Sequence, residues 1–168
     1  MEAKKLAKPA PHPFHLSIRI RHPSIDPAEL SRELGIEPEH SFRAGDPRPS
    51  RSAMTPASVR TESYWLGALD SGELDVAFLR HLKLEAAPQF ATAAAAATQS
   101  LGWALSLKAD RFFNVHSDFL RRIRTDGGEI SLLVALSPDR VMSFTLAPEV
   151  SRVFGELGVT VEFELTNE

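Results

Sequence analysis

The chain has 168 residues, with 19 Lys and Arg against 22 Asp and Glu, 43% hydrophobic residues and no cysteine. One globular domain is the length prior, at ~100–150 residues per domain, and disulfides, thiolate catalysis, iron–sulfur clusters and Cys-type zinc sites are excluded. The formal net charge of −3 argues against a dedicated nucleic-acid binder, and no stretch approaches the ~18 apolar residues of a membrane span.

Residues 1–13 contain Lys4, Lys5 and Lys8 and then Pro9, Pro11 and Pro13. With prolines where a signal peptide has its apolar core, a flexible tail and a cytoplasmic protein are expected. Leu16, Ile18 and Ile20 then alternate with Ser17, Arg19 and Arg21, the period of a half-buried strand. Asp26, Pro27 and Glu29 supply an N-cap, a first helical residue and the third position of a capping box. With Leu30 and Leu34 on one face and Gly35 after them, a helix is predicted over 27–34. An irregular stretch from Glu37 to Glu62 follows, and Tyr64 to Leu69 reads as a short strand.

Ser71 is placed to cap a helix with Leu74, Phe78 and Leu82 on its face. Pro88 kinks it or starts a second one bearing Phe90, Ala94, Ala97 and Leu101, which Gly102 ends. Trp103, Leu105 and Leu107 alternate with Ala104, Ser106 and Lys108 and predict a strand. Val115, Phe119 and Ile123 predict a helix that Gly127-Gly128 breaks. Ile130 to Leu136 and Met142 to Leu146 predict a hairpin turning at Ser137-Pro138-Asp139-Arg140. Pro148 opens a helix with Val150, Val153, Phe154 and Leu157 on one side, and Val159 to Leu165 closes as a strand.

These elements predict a single α+β domain over 14–168, a β-α-loop-β-α half over 14–102 and a βαββαβ half over 103–165. The second order is the ferredoxin-like, or split βαβ, arrangement: a two-layer sandwich with helices on one face of an antiparallel or mixed sheet. The open face would carry Ser17, Arg19, Arg21, Ser106, Lys108, Ser131, Leu133, Ser143, Thr145, Thr160, Glu162 and Glu164. Arg19 and Arg21 would pair with Glu162 and Glu164 if the first and last strands are neighbours. Asp26-Pro27 to Ile36 and Ala147-Pro148 to Val159 also echo each other, which shared capping chemistry explains as readily as duplication.

Leu34-Gly35-Ile36-Glu37-Pro38, Phe42-Arg43-Ala44-Gly45-Asp46-Pro47 and Tyr64-Trp65 together resemble a bacterial family known as domain of unknown function 4279. The closing helix and strand, Pro148 to Leu165, are consistent with it. The sequence departs from that pattern at Phe42, where tryptophan is expected, and in an Arg/Ser/Pro-rich stretch over 48–60 that is longer than usual. The resemblance implies an α+β fold and brings no activity. Read as residues alone, Gly45 and Asp46 fit a turn better than a ligand contact, and Trp65 fits core packing.

No nucleotide, nucleophile-elbow or metal motif is present, and the six histidines fall in no ligand spacing. No cofactor or metal is expected. The loop over 40–60 holds Arg43, Arg48, Arg51 and Arg60 against Asp46, a formal charge of +3 suited to carboxylate or phosphate, although a solvated loop accounts for it as well. The candidate surface is therefore Arg43, Asp46, Arg48, Arg51, Arg60 and Trp65, with Arg19 and Arg21 on the sheet. The open face shows no aromatic stacking platform. The leading expectation is a non-catalytic binding or regulatory module for a protein partner or small ligand. Nucleic-acid binding through the Arg-rich loop, disfavoured, and an unrecognised hydrolase or transferase are the alternatives. Leu133 and Ala135 raise the prospect of a homodimer.

Overall fold

The computed structural model describes residues 14–48, 58–69, 101–102, 104–106, 108–136 and 145–165. Strand β1 (Phe14–His22) leads into helix α1 (Pro27–Leu34), then a short strand β2 (His40–Phe42) and β3 (Ser63–Ala68). A π-helical turn (Ala109–Phe113), helix α2 (Ser117–Thr125), strand β4 (Glu129–Leu136), helix α3 (Pro148–Leu157) and strand β5 (Val159–Leu165) complete the order. The five strands form one mixed sheet in the order β2-β3-β1-β4-β5. All neighbours are antiparallel except β4 and β5, which run parallel with α3 in the crossover between them.

The alternation in β1 decides which side of the sheet is inside. Leu16, Ile18 and Ile20 are fully buried, and the register sets Ile18 beside Leu132 and Ile20 beside both Trp65 and Ile130. Helices α1, α2 and α3 add Leu30 and Leu34, Phe119, Leu120 and Ile123, and Val150, Val153, Phe154 and Leu157 to the same core. Both halves of the chain therefore supply one apolar layer, and the described helices share it. The other phase of the strands, from Tyr64 and Leu66 through Arg19 and Arg21 to Thr160 and Glu162, points away from that layer.

Local chemistry sets the ends of the elements. His22 is buried at the end of β1 and accepts at Nδ1 from the amides of Ser24 (3.1 Å) and Ile25 (2.9 Å), so its ring proton sits on Nε2. Asp26 caps α1 by accepting from the Ala28 amide at 3.0 Å, and Gly35 takes the left-handed conformation at φ 67°. Helix α3 ends in the same way at Gly158, φ 62°, but starts at Ala147, which has no capping side chain. The two helices are alike in their left-handed glycine ends and in the proline that opens them, and differ in the capping side chain.

Several expectations are corrected. The described residues at 101–108 are helical and run into the π-helical turn. Leu101, Leu105 and Ala109 are buried at four-residue steps, with Ala104, Phe112 and Phe113 beside them. That longer stripe of period near 3.6 outweighs the short alternation at Trp103, Leu105 and Leu107. Ser106 accordingly bonds back to the Gly102 carbonyl (3.0 Å) and Lys108 donates to the Leu69 carbonyl, so neither lies on a strand and Gly102 does not end a helix. The described residues of 103–165 thus lack the first strand of the βαββαβ order. Part of the stretch read as irregular is β2. Val115 is 70% exposed and outside the α2 core face, because it lies in the turn before α2, and the non-helical backbone of His116 (φ −96°, ψ 14°) breaks the phase between Val115 and Phe119. The first strand of the predicted hairpin is β4, Thr145 and Leu146 of the second lie outside any strand, and residues 137–144, the tail at 1–13 and the helices predicted between 71 and 100 fall outside the described residues.

Trp65 presses its ring over the backbone of Gly67. A Cβ on Gly67 would sit 2.4 Å from Trp65 Cη2 and 3.0 Å from Ile36 Cγ2, whereas one on Gly155 of α3 meets nothing within 4 Å. Gly67→Ala is expected to cost about 1–3 kcal/mol through overpacking. Gly155→Ala is expected to gain about 0.5–1 kcal/mol from helix propensity. Urea midpoints measured at unchanged slope check both signs.

Candidate functional site

The excursion between β2 and β3 is an ordered arm where it is described. The Asp46 amide donates to the Arg43 carbonyl (3.2 Å) and the Asp46 carboxylate accepts from the Arg43 amide (2.7 Å). Gly45, third in that turn, has φ 90°, which a side chain resists and a type II turn requires. Beyond the turn, the Gly45 amide donates to the Arg60 carbonyl, Arg60 to the Asp46 carbonyl and Arg48 to the Ser58 carbonyl, all at 2.8–2.9 Å. Pro47 and Val59 form a bridge between them. Ser63 Oγ accepts from the Ala44 amide at 3.0 Å, tying the turn to β3.

Arg60 is carried by this arm onto the outer side of the sheet. Its guanidinium carbon stands 3.5 Å from the centre of the Phe42 ring. Phe42 in turn stacks on Tyr64, its register partner on β3, with centroids 5.1 Å apart and planes 11° apart. His40 meets both rings edge-on, at 5.8 and 5.7 Å. Three planar groups, one of them charged, thus form a single column on the β2–β3 flank of the face, with His40 at its side. Contacts of these kinds are worth about 0.5–1.5 kcal/mol each, enough to hold a three-residue edge strand in place.

Next in the same row, Arg21 of β1 lies beside Tyr64 on one side and Glu129 of β4 on the other. Its side chain is half-buried, and its Nε is sealed from solvent without a hydrogen-bond partner. Arg19 behaves differently. It donates to Ser131 Oγ (3.3 Å) and continues over β4 to an ion pair with Glu162 of β5. The expected cross-sheet pairing therefore exists for Arg19, although β4 separates the two strands, and no Arg21–Glu164 pair forms among the described residues. Leu66, Ala68, Leu133 and Ala135 are half-buried between these charged rows.

The other candidate residues separate. Trp65 is 0% exposed and its indole N–H donates to Ser31 Oγ of α1 at 3.1 Å, so it belongs to the core and not to a surface. Arg43 pairs with Asp26, joining the arm to the start of α1. Asp46 closes the turn. Arg48 is exposed on the arm, and Arg51 falls outside the described residues. The absence of stacking aromatics from the open face is corrected: Phe42 and Tyr64 are both on it. The signal was present in His40-Ser41-Phe42, whose alternation matches the neighbouring Tyr64 and Leu66, but a three-residue strand is too short for periodicity to announce. Among the described residues, no three His, Asp or Glu side chains are grouped to hold a metal, and no helix is long and apolar enough to cross a membrane.

Away from this face, burial against Phe112 lowers the pKa of His116, with the Glu33 carboxylate working against it. At the arm, the Arg43 guanidinium, and after it the Ala28 amide, hold the Asp26 carboxyl below its ordinary range. A lowered carboxyl pKa stabilises the fold above the unfolded value, near 3.8, and the contribution is lost as pH falls through the folded value. Asp26→Asn keeps the helix cap and removes the charge, whereas Asp26→Ala removes both. The expected melting temperatures at neutral pH fall in the order wild type, Asn, Ala. The gap between wild type and Asn should be small, shrink with salt because the pair is solvent-exposed, and close in acid. Thermal melts at several pH values check this order.

Neither the curated proteins nor the solved structures offer a match to this chain. A family model matches residues 12–84, which hold β1, α1, β2, the arm and β3. The closing helix and strand, Pro148 to Leu165, lie beyond the match. The model matched over these residues, less than half of the chain, is that of the family described as Domain of unknown function (DUF4279), which this part of the chain resembles.

Proposed function

We propose that the chain is a binding module, not an enzyme, and that its contact surface is the outer face of the sheet on the β2–β3–β1 side. The observation that carries this reading is the column of Arg60, Phe42 and Tyr64, standing beside half-buried Leu66 and Arg21. Core formation requires the inner phase of each strand to be apolar and asks nothing comparable of the outer phase. Aromatic and arginine side chains concentrated on an outer face are the residue types that dominate recognition hot spots. Much of this surface is already organised: strand pairing fixes Phe42 against Tyr64, and the arm's main-chain bonds fix Arg60 over Phe42. A ligand meeting it has fewer side chains to order, which lowers the entropy cost of binding. The partner on this reading is a protein or a small ligand, and the protein acts in the cytoplasm.

A screen of small planar and apolar fragments by amide chemical-shift mapping tests the surface without a known ligand. Shifts are expected to gather at Phe42, Arg60, Tyr64, Leu66 and Arg21. Shifts confined to the helical side, around α2 and α3, would sink the reading.

A further inference from the structure

Resting on the placement of the contact surface in that reading, and replacing its protein or small-molecule partner, we infer that the ligand class is single-stranded nucleic acid. The bases would extend the Phe42–Tyr64 column, and Arg21, Arg48 and Arg60 would meet the phosphates. Two independent features of the face point to this chemistry. The first is planarity. A guanidinium and two aromatic rings already lie in one stack, and a nucleobase is a planar π-system of the kind that such a stack accepts whatever its sequence.

The second feature is charge. Arg19 and Arg43 are consumed by Glu162 and Asp26. Arg21, Arg48 and Arg60 have no ion-pair partner among the described residues, and all lie on β1 or on the arm. Arg21 also carries a buried Nε without an acceptor, and its guanidinium has to turn outward before an anionic oxygen can complete that bond. On the opposite flank, Thr160, Glu162 and Glu164 of β5 share the outer phase; Glu162 is neutralised by Arg19, and Glu164 is left to repel a polyanion. The strand is thereby directed across β2, β3 and β1 and stops short of β5. The overall charge of −3 weighs against such a ligand at long range, but screening over ~8–10 Å lets the local groups govern at the face.

The test is fluorescence anisotropy of the full chain with a labelled oligothymidylate of about 12 nucleotides, within the ~4–16 that a single sheet-type domain covers. Saturable binding is expected at about 50 mM salt, with affinity falling steeply as salt rises. Arg21→Ala and Arg48→Ala should each flatten the log–log salt slope by about 0.7. Tyr64→Leu should weaken binding roughly five- to hundredfold, the loss of one stacked base. Arg60→Lys keeps the charge and removes the plane, so it should weaken binding at unchanged slope, and it carries the test if Tyr64→Leu fails to fold. Arg122→Ala, on α2, should change nothing.

No binding at low salt would overturn the inference. So would binding that Arg60→Lys leaves intact and that inorganic polyphosphate displaces as well as the oligonucleotide does. Fragment shifts at the column without oligonucleotide binding would leave the face a binding surface for a protein or small molecule and sink only the nucleic-acid assignment. Failure of both measurements sinks both.

Discussion

Strand β1 is the constraint on which the rest of the structure depends. It is the middle strand of five and is hydrogen-bonded on both sides, so its register is fixed twice. A slip of one residue against either neighbour would turn Leu16, Ile18 and Ile20 outward and drive Arg19 and Arg21 into the core. Because three leucine and isoleucine side chains at zero exposure oppose that slip, the outward position of the two arginines follows from the hydrophobic effect. The polar face is thus placed by the apolar one.

The sheet's two flanks are built differently from this centre. Toward β2 the chain returns by antiparallel pairing and the arm, so the flank is made of short-range turns and main-chain bonds. Toward β5 it returns by a parallel crossover, so α3 must cover the inner side, and Val150, Val153, Phe154 and Leu157 do so. Arg19 spans the difference by reaching over β4 to Glu162. With the pair only partly exposed, at 18% and 33% of side-chain area, it joins non-adjacent strands and uses up the cation that would otherwise stand at the centre of the outer face. Unpaired positive charge remains on the β1 side of that face, at Arg21.

Much of the 14–48 region was legible in the sequence because each of its elements is specified locally. The alternation in β1, the Asp-Pro start and Gly35 end of α1, and the turn at Gly45 and Asp46 require no knowledge of distant contacts. The region from 101 to 113 was not legible in that way. Trp103, Leu105 and Leu107 fit a strand when read alone, and only the buried positions from Leu101 to Phe113 taken together favour a helix, with a π-helical turn that no periodicity rule anticipates. The candidate site was half legible. Arg60 and Arg21 were identifiable as unusual cations. Their meeting with Phe42 and Tyr64 depended on β2, whose three residues gain strand structure from pairing with β3 and not from their own propensity. Trp65 was placed in both the core and the candidate surface by its sequence, and the hydrogen bond to Ser31 decides for the core.

The arm's described portions are held almost entirely by peptide groups: Gly45 to Arg60, Arg60 to Asp46 and Arg48 to Ser58. Most side chains there can be exchanged without unmaking the pairing, provided that glycine and aspartate keep the turn. Natural variation can therefore retune what this edge presents while the scaffold beneath stays as it is, and an engineer grafting a new recognition sequence would find the least resistance at the same place.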